Sequence, residues 1–329
     1  MTADREPEGP RTFADPFGRA MRDFHRGEPG RLVYRDGTEV QDGNVEGFYF
    51  TPRAEWGEET TLELERLADA RGPVVDVGCG TGQHVRWFQD RGVDAVGVDV
   101  SPNAVGTARE MGAERVLVGD MHDLPFEDGR FRAVHCVGTQ IALGGSLAGI
   151  AALLREFARV TAEDAVGLVD NYDPTRLGAD FFGFRPDPRE GIAHRCFHFE
   201  YERARWEPGV RAVGPALHFL LCSPDRLRAA ASETPWTVAA VRHTEPREIH
   251  YRARLERKPA DGAGPDDRFS DRTTSDDRFS DRTTSDDRFS DRTTSDDRFS
   301  DRAGSDDEPS AAAIGARFFP VLVVRRGTE

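Results

Sequence analysis

Short apolar runs and longer amphipathic stretches alternate through the middle of the chain. The runs near 73–78, 94–99, 115–119, 131–137 and 165–171 have the length and composition of strands. Helices are expected near 81–90, 102–112 and 146–160. Another is expected at 58–70, EETTLELERLADA, whose early acids suit a helix N-terminus. Ser101-Pro102 and Ser223-Pro224 each join a capping hydroxyl to a proline at the first helical position. Strands alternating with helices predict a parallel sheet with right-handed crossovers. The expected fold class is α/β: a Rossmann-like, doubly wound, mostly parallel seven-stranded sheet with an antiparallel C-terminal edge, plus a small β insertion.

The rhythm breaks at 175–222. HRCFHFEYER and VRAVGPALHFLLCS read as two strands around the turn Glu207-Pro208-Gly209, with Phe197, Phe199 and Tyr201 on one face. Phe181, Phe182, Phe184, Trp206 and Phe219 add to them. The insertion reads as the core of a small appended sheet, as an aromatic lid over a largely apolar small molecule, or as both at once, since a lid needs its own core. A helix at 224–233 leads back to the main sheet. WTVAAVRH and IHYRARLER then read as a terminal antiparallel hairpin. Beyond it, DDRFSDRTTS occurs three times in tandem from Asp266, and a fourth copy ends in RAGS. One phenylalanine per copy cannot build a core, so this reads as an expanded acidic linker. The alternative is an interaction tail displaying Phe269, Phe279, Phe289 and Phe299. RFFPVLVVRR, at 317–326, reads as one more strand. The expected layout is an N-terminal segment 1–57 whose first twenty residues are mobile, a core 58–257 with 175–222 as a substrate lid, a disordered repeat loop 258–316, and a strand 317–329 completing the sheet.

Chemistry concentrates at Val74-Val75-Asp76-Val77-Gly78-Cys79-Gly80-Thr81-Gly82. This is a buried strand, a tight glycine turn and a helix start. A second apolar run, Ala95 to Val98, ends in Asp99. Strand, glycine turn, helix, strand and acid is how an α/β sheet builds a nucleoside site: glycines admit a ligand to bare backbone, and the acid takes two ribose hydroxyls. A dinucleotide fingerprint would need a third glycine at 83 or 85, where Gln83 and Val85 stand. The motif is D-x-G-x-G-x-G instead. The Asp76 carboxylate is unsuited to a pyrophosphate and suited to a cationic amino-acid end. A ribose, an amino-acid end and no phosphate describe S-adenosylmethionine.

These residues resemble the class I S-adenosylmethionine-dependent methyltransferases. VVDVGCGTGQH is similar to their first motif, VGVDVS to their second, and GDMHDLPFEDGRFRAVHCVGTQ to the stretch through their third and fourth. The wording of DPFGRA, GTQ and FHFEYE looks like haloarchaeal members. The resemblance implies that Gly78, Cys79, Gly80 and Gly82 form the turn under the methionine part of the cofactor. It also implies that Asp76 holds the methionine amino group, directly or through water, and that Asp99, followed by Val100, chelates the ribose. Asp120 would accept from the adenine amino group and Met121 pack on the ring, with Asp123 the other acidic candidate. Cys136 and Val137 would lie along the cofactor's other side.

No catalytic base stands out. His84, His122, His135, His194, His198 and His218 are candidates, but a histidine in an apolar strand is more often a core residue. His135 alternates with Val134 and Cys136 and is expected to turn away from the cofactor. Gln140 and Tyr172, at the carboxyl edge of the sheet, are expected near the acceptor, and His198 is a further catalytic candidate. Holding donor and acceptor in line supplies much of the acceleration of a methyl transfer, so a base is needed only for a protonated nucleophile. Asn171-Tyr172-Asp173-Pro174 differs in order and place from the N-P-P-Y motif of nucleic-acid base methyltransferases.

Composition narrows the setting. The net charge is −15, and lysine occurs once, at Lys258. Such a surface suits a protein kept soluble at high salt by hydrated carboxylates, and acidity argues against nucleic acid as a partner. The start MTADREPEGPR has no apolar core, and no run is long enough to cross a membrane, so a cytoplasmic, membrane-free protein is expected. Cys79, Cys136, Cys196 and Cys222 form no C-x-x-C pair and read as reduced; no metal is expected. The expected partner is a small methyl acceptor. The alternatives are an acceptor in RNA or protein, a non-catalytic cofactor-binding sensor or scaffold, and, less well matched, a dinucleotide oxidoreductase.

Overall fold

The computed structural model describes residues 15–203, 211–244 and 249–258. The expected Glu207-Pro208-Gly209 turn, Trp206, the repeats and the strand at 317–329 lie outside the described residues. The N-terminal part holds helix α1 (Pro16–His25), the hairpin β1 (Arg31–Asp36) and β2 (Glu39–Asp42), the short helix α2 (Val45–Tyr49) and α3 (Glu58–Ala68). The alternating region follows: β3 (Val74–Val77), α4 (Gln83–Gln89), β4 (Ala95–Asp99), α5 (Pro102–Glu110), β5 (Val116–Val118), β6 (Phe131–Cys136), α6 (Leu147–Val160) and β7 (Thr161–Tyr172). The rest comprises β8 (Phe184–Pro186), β9 (Ile192–Glu202), β10 (Ala212–Val213), β11 (Leu217–Cys222), α7 (Pro224–Ser232), β12 (Trp236–Thr244) and β13 (His250–Arg257).

The main sheet has seven strands in the order β12-β13-β7-β6-β3-β4-β5. Its β7-β6-β3-β4-β5 run is parallel, while β13 is antiparallel to both β7 and β12. This is the expected α/β sheet, with all seven strands lying between residues 74 and 257. On one face, Leu64, Leu67, Val85 and Phe88 from α3 and α4 pack with Val74, Ala133 and Leu168. On the other, Ile150, Leu154 and Leu227 from α6 and α7 join Val75, Val134 and Val169. Ser101 and Ser223 cap α5 and α7 as their sequence suggests, accepting from Ala104 N and Arg226 N.

The insertion departs from expectation. Its strand β9 pairs with β8, β10 and β11, and also with β1 from the N-terminal segment, where Tyr34 faces Phe199 and Leu32 faces Tyr201. The second sheet therefore has six strands and draws on both the N-terminal segment and the insertion. Phe197, Phe199 and Tyr201 do share a face, but that face is core: Phe199 stacks on Phe17 at 4.4 Å, and Phe197 on Phe219 at 5.2 Å. Residues 15–20, expected among the mobile ones, are the cap and first half of α1. Asp15 accepts from Gly18 N at 2.8 Å, and Phe17, Ala20 and Met21 are buried. The signal was a capping acid followed by proline, with the apolar face only one residue away.

Candidate active site

A cavity of about 200 Å³ opens at the carboxyl edge of the main sheet. Asp76 and the turn residues Gly78, Cys79 and Thr81 form its floor. Gln83 and His84, from the first turn of α4, form one side, and Val137, Gly138 and Gln140, after β6, another. The outer wall is Phe48, Tyr49, Thr51 and Trp56, with Thr60 and Arg252 at the far end.

The glycines are required by backbone and space. Gly78 has φ +76°, and a Cβ there would lie 2.7 Å from the Gln140 side chain. Gly80 has φ +54°, and its Cβ would lie 3.0 Å from the Tyr49 ring. Gly82, also at positive φ, is the N-cap of α4. The turn is tied to its wall by two bonds: Thr81 Oγ1 donates to Tyr49 O at 2.8 Å, and Gln83 Nε2 to Phe48 O at 3.2 Å.

Asp76 is 2% exposed. Its Oδ1 lies 2.7 Å from His135 Nδ1, while Oδ2 is buried with no hydrogen-bond partner. A buried carboxylate oxygen in that state awaits a donor or a cation. His135, expected to turn away, thus reaches the underside of the site. His84 crosses the His135 ring edge to face at 4.8 Å, and burial, then the neighbouring His135, push its pKa down to about 3. It is a neutral imidazole in the cavity wall.

Asp99 ends β4 beside the same turn. Its Oδ2 accepts from Gly80 N and its Oδ1 from Ser101 N, both at 2.8 Å. Burial pushes its pKa up to about 7 against the pull of those amides. Asp170, on β7, takes Gly138 N at 2.8 Å, Thr139 N at 2.5 Å and His250 Nε2 at 3.1 Å. Burial opposes its charge, but His250 and the Gly138 amide outweigh that and hold its pKa below the usual carboxylate range. This grip holds Thr139 at φ +64° and sets Gln140, whose Oε1 is buried without a partner, against Gly78.

Of the residues expected to hold the cofactor, Asp76, Gly78, Cys79 and Val137 line the cavity. Asp99 is buried behind Gly80, and Cys136 is buried in the core below. Val100, Asp120 and Met121 lie beyond the cavity lining at the ends of β4 and β5. Asp120 binds His122 at 3.0 Å, and Met121 is a core residue. Among the acceptor candidates only Gln140 lines the cavity. Tyr172 is buried against Phe181 and His250. His198 sits on β9, 3.2 Å from Glu200. Among the described residues of 175–222, none lines this cavity. The physical reason is the pairing of β1 with β9, which turns the aromatic stripe inward. The wall comes from residues 47–60, flagged in the sequence only by the aromatic cluster Phe48-Tyr49-Phe50.

The comparisons agree with this geometry. A family model for methyltransferase domains matches residues 74–164, the strand, glycine turn and crossovers that make the cavity floor. The structure is similar to a methyltransferase from Bacteroides fragilis in complex with S-adenosyl-L-homocysteine, with TM-score 0.58 and 20% identity, covering 74% of this chain and 95% of that one. Residues 74–164 thus match a methyltransferase domain, on a fold shared with S-adenosylmethionine-dependent methyltransferases. The residues present fit S-adenosylmethionine: an orphaned buried carboxylate oxygen suited to an ammonium, a turn too tight for side chains, and a buried acid at the end of the next strand. Among curated proteins, the methyltransferase domain is similar to an uncharacterised methyltransferase of Synechocystis, 41% identical over 84 residues, a quarter of this chain and 38% of that protein. It is also similar to the dTDP-3-amino-3,6-dideoxy-alpha-D-glucopyranose N,N-dimethyltransferase of Streptomyces fradiae, 28% identical over 170 residues, half of this chain and 62% of that protein. The chain thus spans less than two thirds of the length of these relatives.

Proposed function

We propose that this chain transfers a methyl group from S-adenosylmethionine to a small, partly apolar organic acceptor. When bound, the cofactor supplies an electrophilic methyl on a sulfonium. Asp76 Oδ2 takes the cofactor's ammonium, while Oδ1 stays on His135. The Gly78–Gly82 turn lies under the methionine, and Asp99 receives the ribose hydroxyls. Phe48, Tyr49 and Trp56 offer the acceptor an apolar wall, and Gln140 offers it one amide. The chain's contribution to rate is to hold the reacting atoms in line and keep water out. The cavity is smaller than the usual 300–1,000 Å³ of ligand sites. The wall at 47–56 therefore moves outward as cofactor and acceptor seat.

The observation that carries this reading is the partnerless Asp76 Oδ2 beneath Gly78. The test is calorimetric titration of S-adenosylmethionine into wild type and Asp76→Asn in concentrated potassium chloride, with NADH as control. Wild type is expected to bind S-adenosylmethionine and not NADH. Asp76→Asn should lose about 1.5–3 kcal/mol, the scale of a charge-assisted hydrogen bond. A folded wild type that binds no S-adenosylmethionine overturns the proposal.

The acceptor is then sought by transfer of labelled methyl to small solutes. The amino sugar in the name of the Streptomyces relative makes amines the first class to try. Label found only in RNA or protein would sink the small-acceptor part. The acidic, lysine-poor sequence supports action in the cytoplasm of a salt-adapted cell. Among the described residues no helix is long and apolar enough to cross a membrane.

A further inference from the structure

We propose that Asp76, His84 and His135 form a site for a divalent transition metal of the zinc class under the methionine end of the cavity, and that the ion and S-adenosylmethionine compete for Asp76. The competition rests on the proposed cofactor reading; the metal site does not.

The three residues come from β3, α4 and β6, and no local motif joins them. The fold brings one donor atom from each to within 4.8 Å of the others. Asp76 Oδ2 is buried and has no partner. The His84 ring makes no hydrogen bond among the described residues and meets only the rings of Trp56 and His135. His135 is buried, with Nδ1 on Asp76 Oδ1. Two imidazoles and one carboxylate are a donor set for zinc, and for cobalt in its place, rather than for magnesium or calcium, which take oxygen. Metal–donor bonds near 2.0–2.2 Å put tetrahedral donors about 3.3–3.5 Å apart. The present spread closes by rotation of His84, which is partly exposed at the start of α4. The nearby positive charge, Arg252, is ion-paired to Glu63. With three protein donors the fourth position points toward the cavity. The methionine ammonium and the ion need the same Oδ2, so one excludes the other.

The experiment uses the full chain stripped with EDTA and titrated with cobalt chloride, read by visible absorption. One equivalent with the intense bands of tetrahedral cobalt is expected, lost in His84→Ala and in His135→Asn. Thermal melting with and without zinc checks that both variants fold: wild type should melt higher with zinc, the variants should not. S-adenosylmethionine is then titrated with EDTA or with saturating zinc. Wild type should bind at least about tenfold more weakly in zinc, and His84→Ala should bind equally in both.

No cobalt bands in a wild type that binds S-adenosylmethionine in EDTA overturns the metal site and leaves the methyltransferase reading standing. Cobalt bands in a wild type that does not bind S-adenosylmethionine confirm the site and remove the competition. Simultaneous binding of both also removes the competition. Bands that survive His84→Ala and vanish in His218→Ala assign the ion to the His194–His218 pair, 2.8 Å apart on the second sheet, and overturn the proposal.

Discussion

The Asp99 carboxylate accepts from the Gly80 and Ser101 amides, and burial lifts its pKa to about 7. The groups around it are Asp15 at the N-cap of α1, Asp76 from β3, Cys79 in the turn and Tyr49 from α2. Because its pKa is raised, the folded chain holds this proton more tightly than the unfolded chain does. The group therefore subtracts stability as pH rises from about 4 to about 7. Ribose hydroxyls donate best to the ionised form, so cofactor affinity should run the other way. Titration calorimetry is expected to show affinity rising about twentyfold from pH 5.5 to 7.5 as Asp99 ionises, and no such rise in Asp99→Asn. A flat wild-type profile would mean that Asp99 does not meet the ribose. Asp76, Asp99 and the glycines were legible because their spacing along one strand–turn–helix–strand unit is set locally. The pairing of Asp76 with His135 was not, since it depends on two strands lying side by side in register.

Helix α1 and the hairpin of β1 and β2 are the elements that sequence patterning undervalued. Each is short, and each is stabilised by distant partners. Phe17 stands edge-on to Tyr49 at 5.2 Å and stacks on Phe199 at 4.4 Å, so it packs between the second sheet and the cavity wall. Phe17→Ala removes a fully buried ring and should cost about 3–5 kcal/mol in urea unfolding. A loss below about 1 kcal/mol would show that the wall stands without this buttress. The long elements were legible because period and length agree: α6 spans 14 residues with one apolar face, and β7 reads as an apolar run. The insertion's strands were legible too, but not their partner, since β1 lies far from β9 in sequence.

At the scale of the molecule, the seventh strand of the main sheet closes at Arg257, and Lys258 Nζ donates to Thr234 O at 2.7 Å. A chain ended after Lys258 is expected to keep its cofactor affinity and to melt within about 3 °C of the full chain, a change below about 1 kcal/mol. A larger loss would give residues 259–329 a structural role. The net charge of −15 repels itself, so melting temperature should rise between about 0.2 and 3 M potassium chloride as the Debye length falls below about 3 Å. A fall would remove the reading of salt adaptation. The sequence by itself determined the parallel sheet, the glycine turn and the spacing of the two acids around it, because hydrophobic period and glycine spacing act over a few residues. Only the tertiary structure decided which residues wall the cavity, where the aromatic stripe turns, and that His135 meets Asp76 with His84 packed beside it. Those outcomes depend on packing between segments far apart in the chain, which no local pattern encodes.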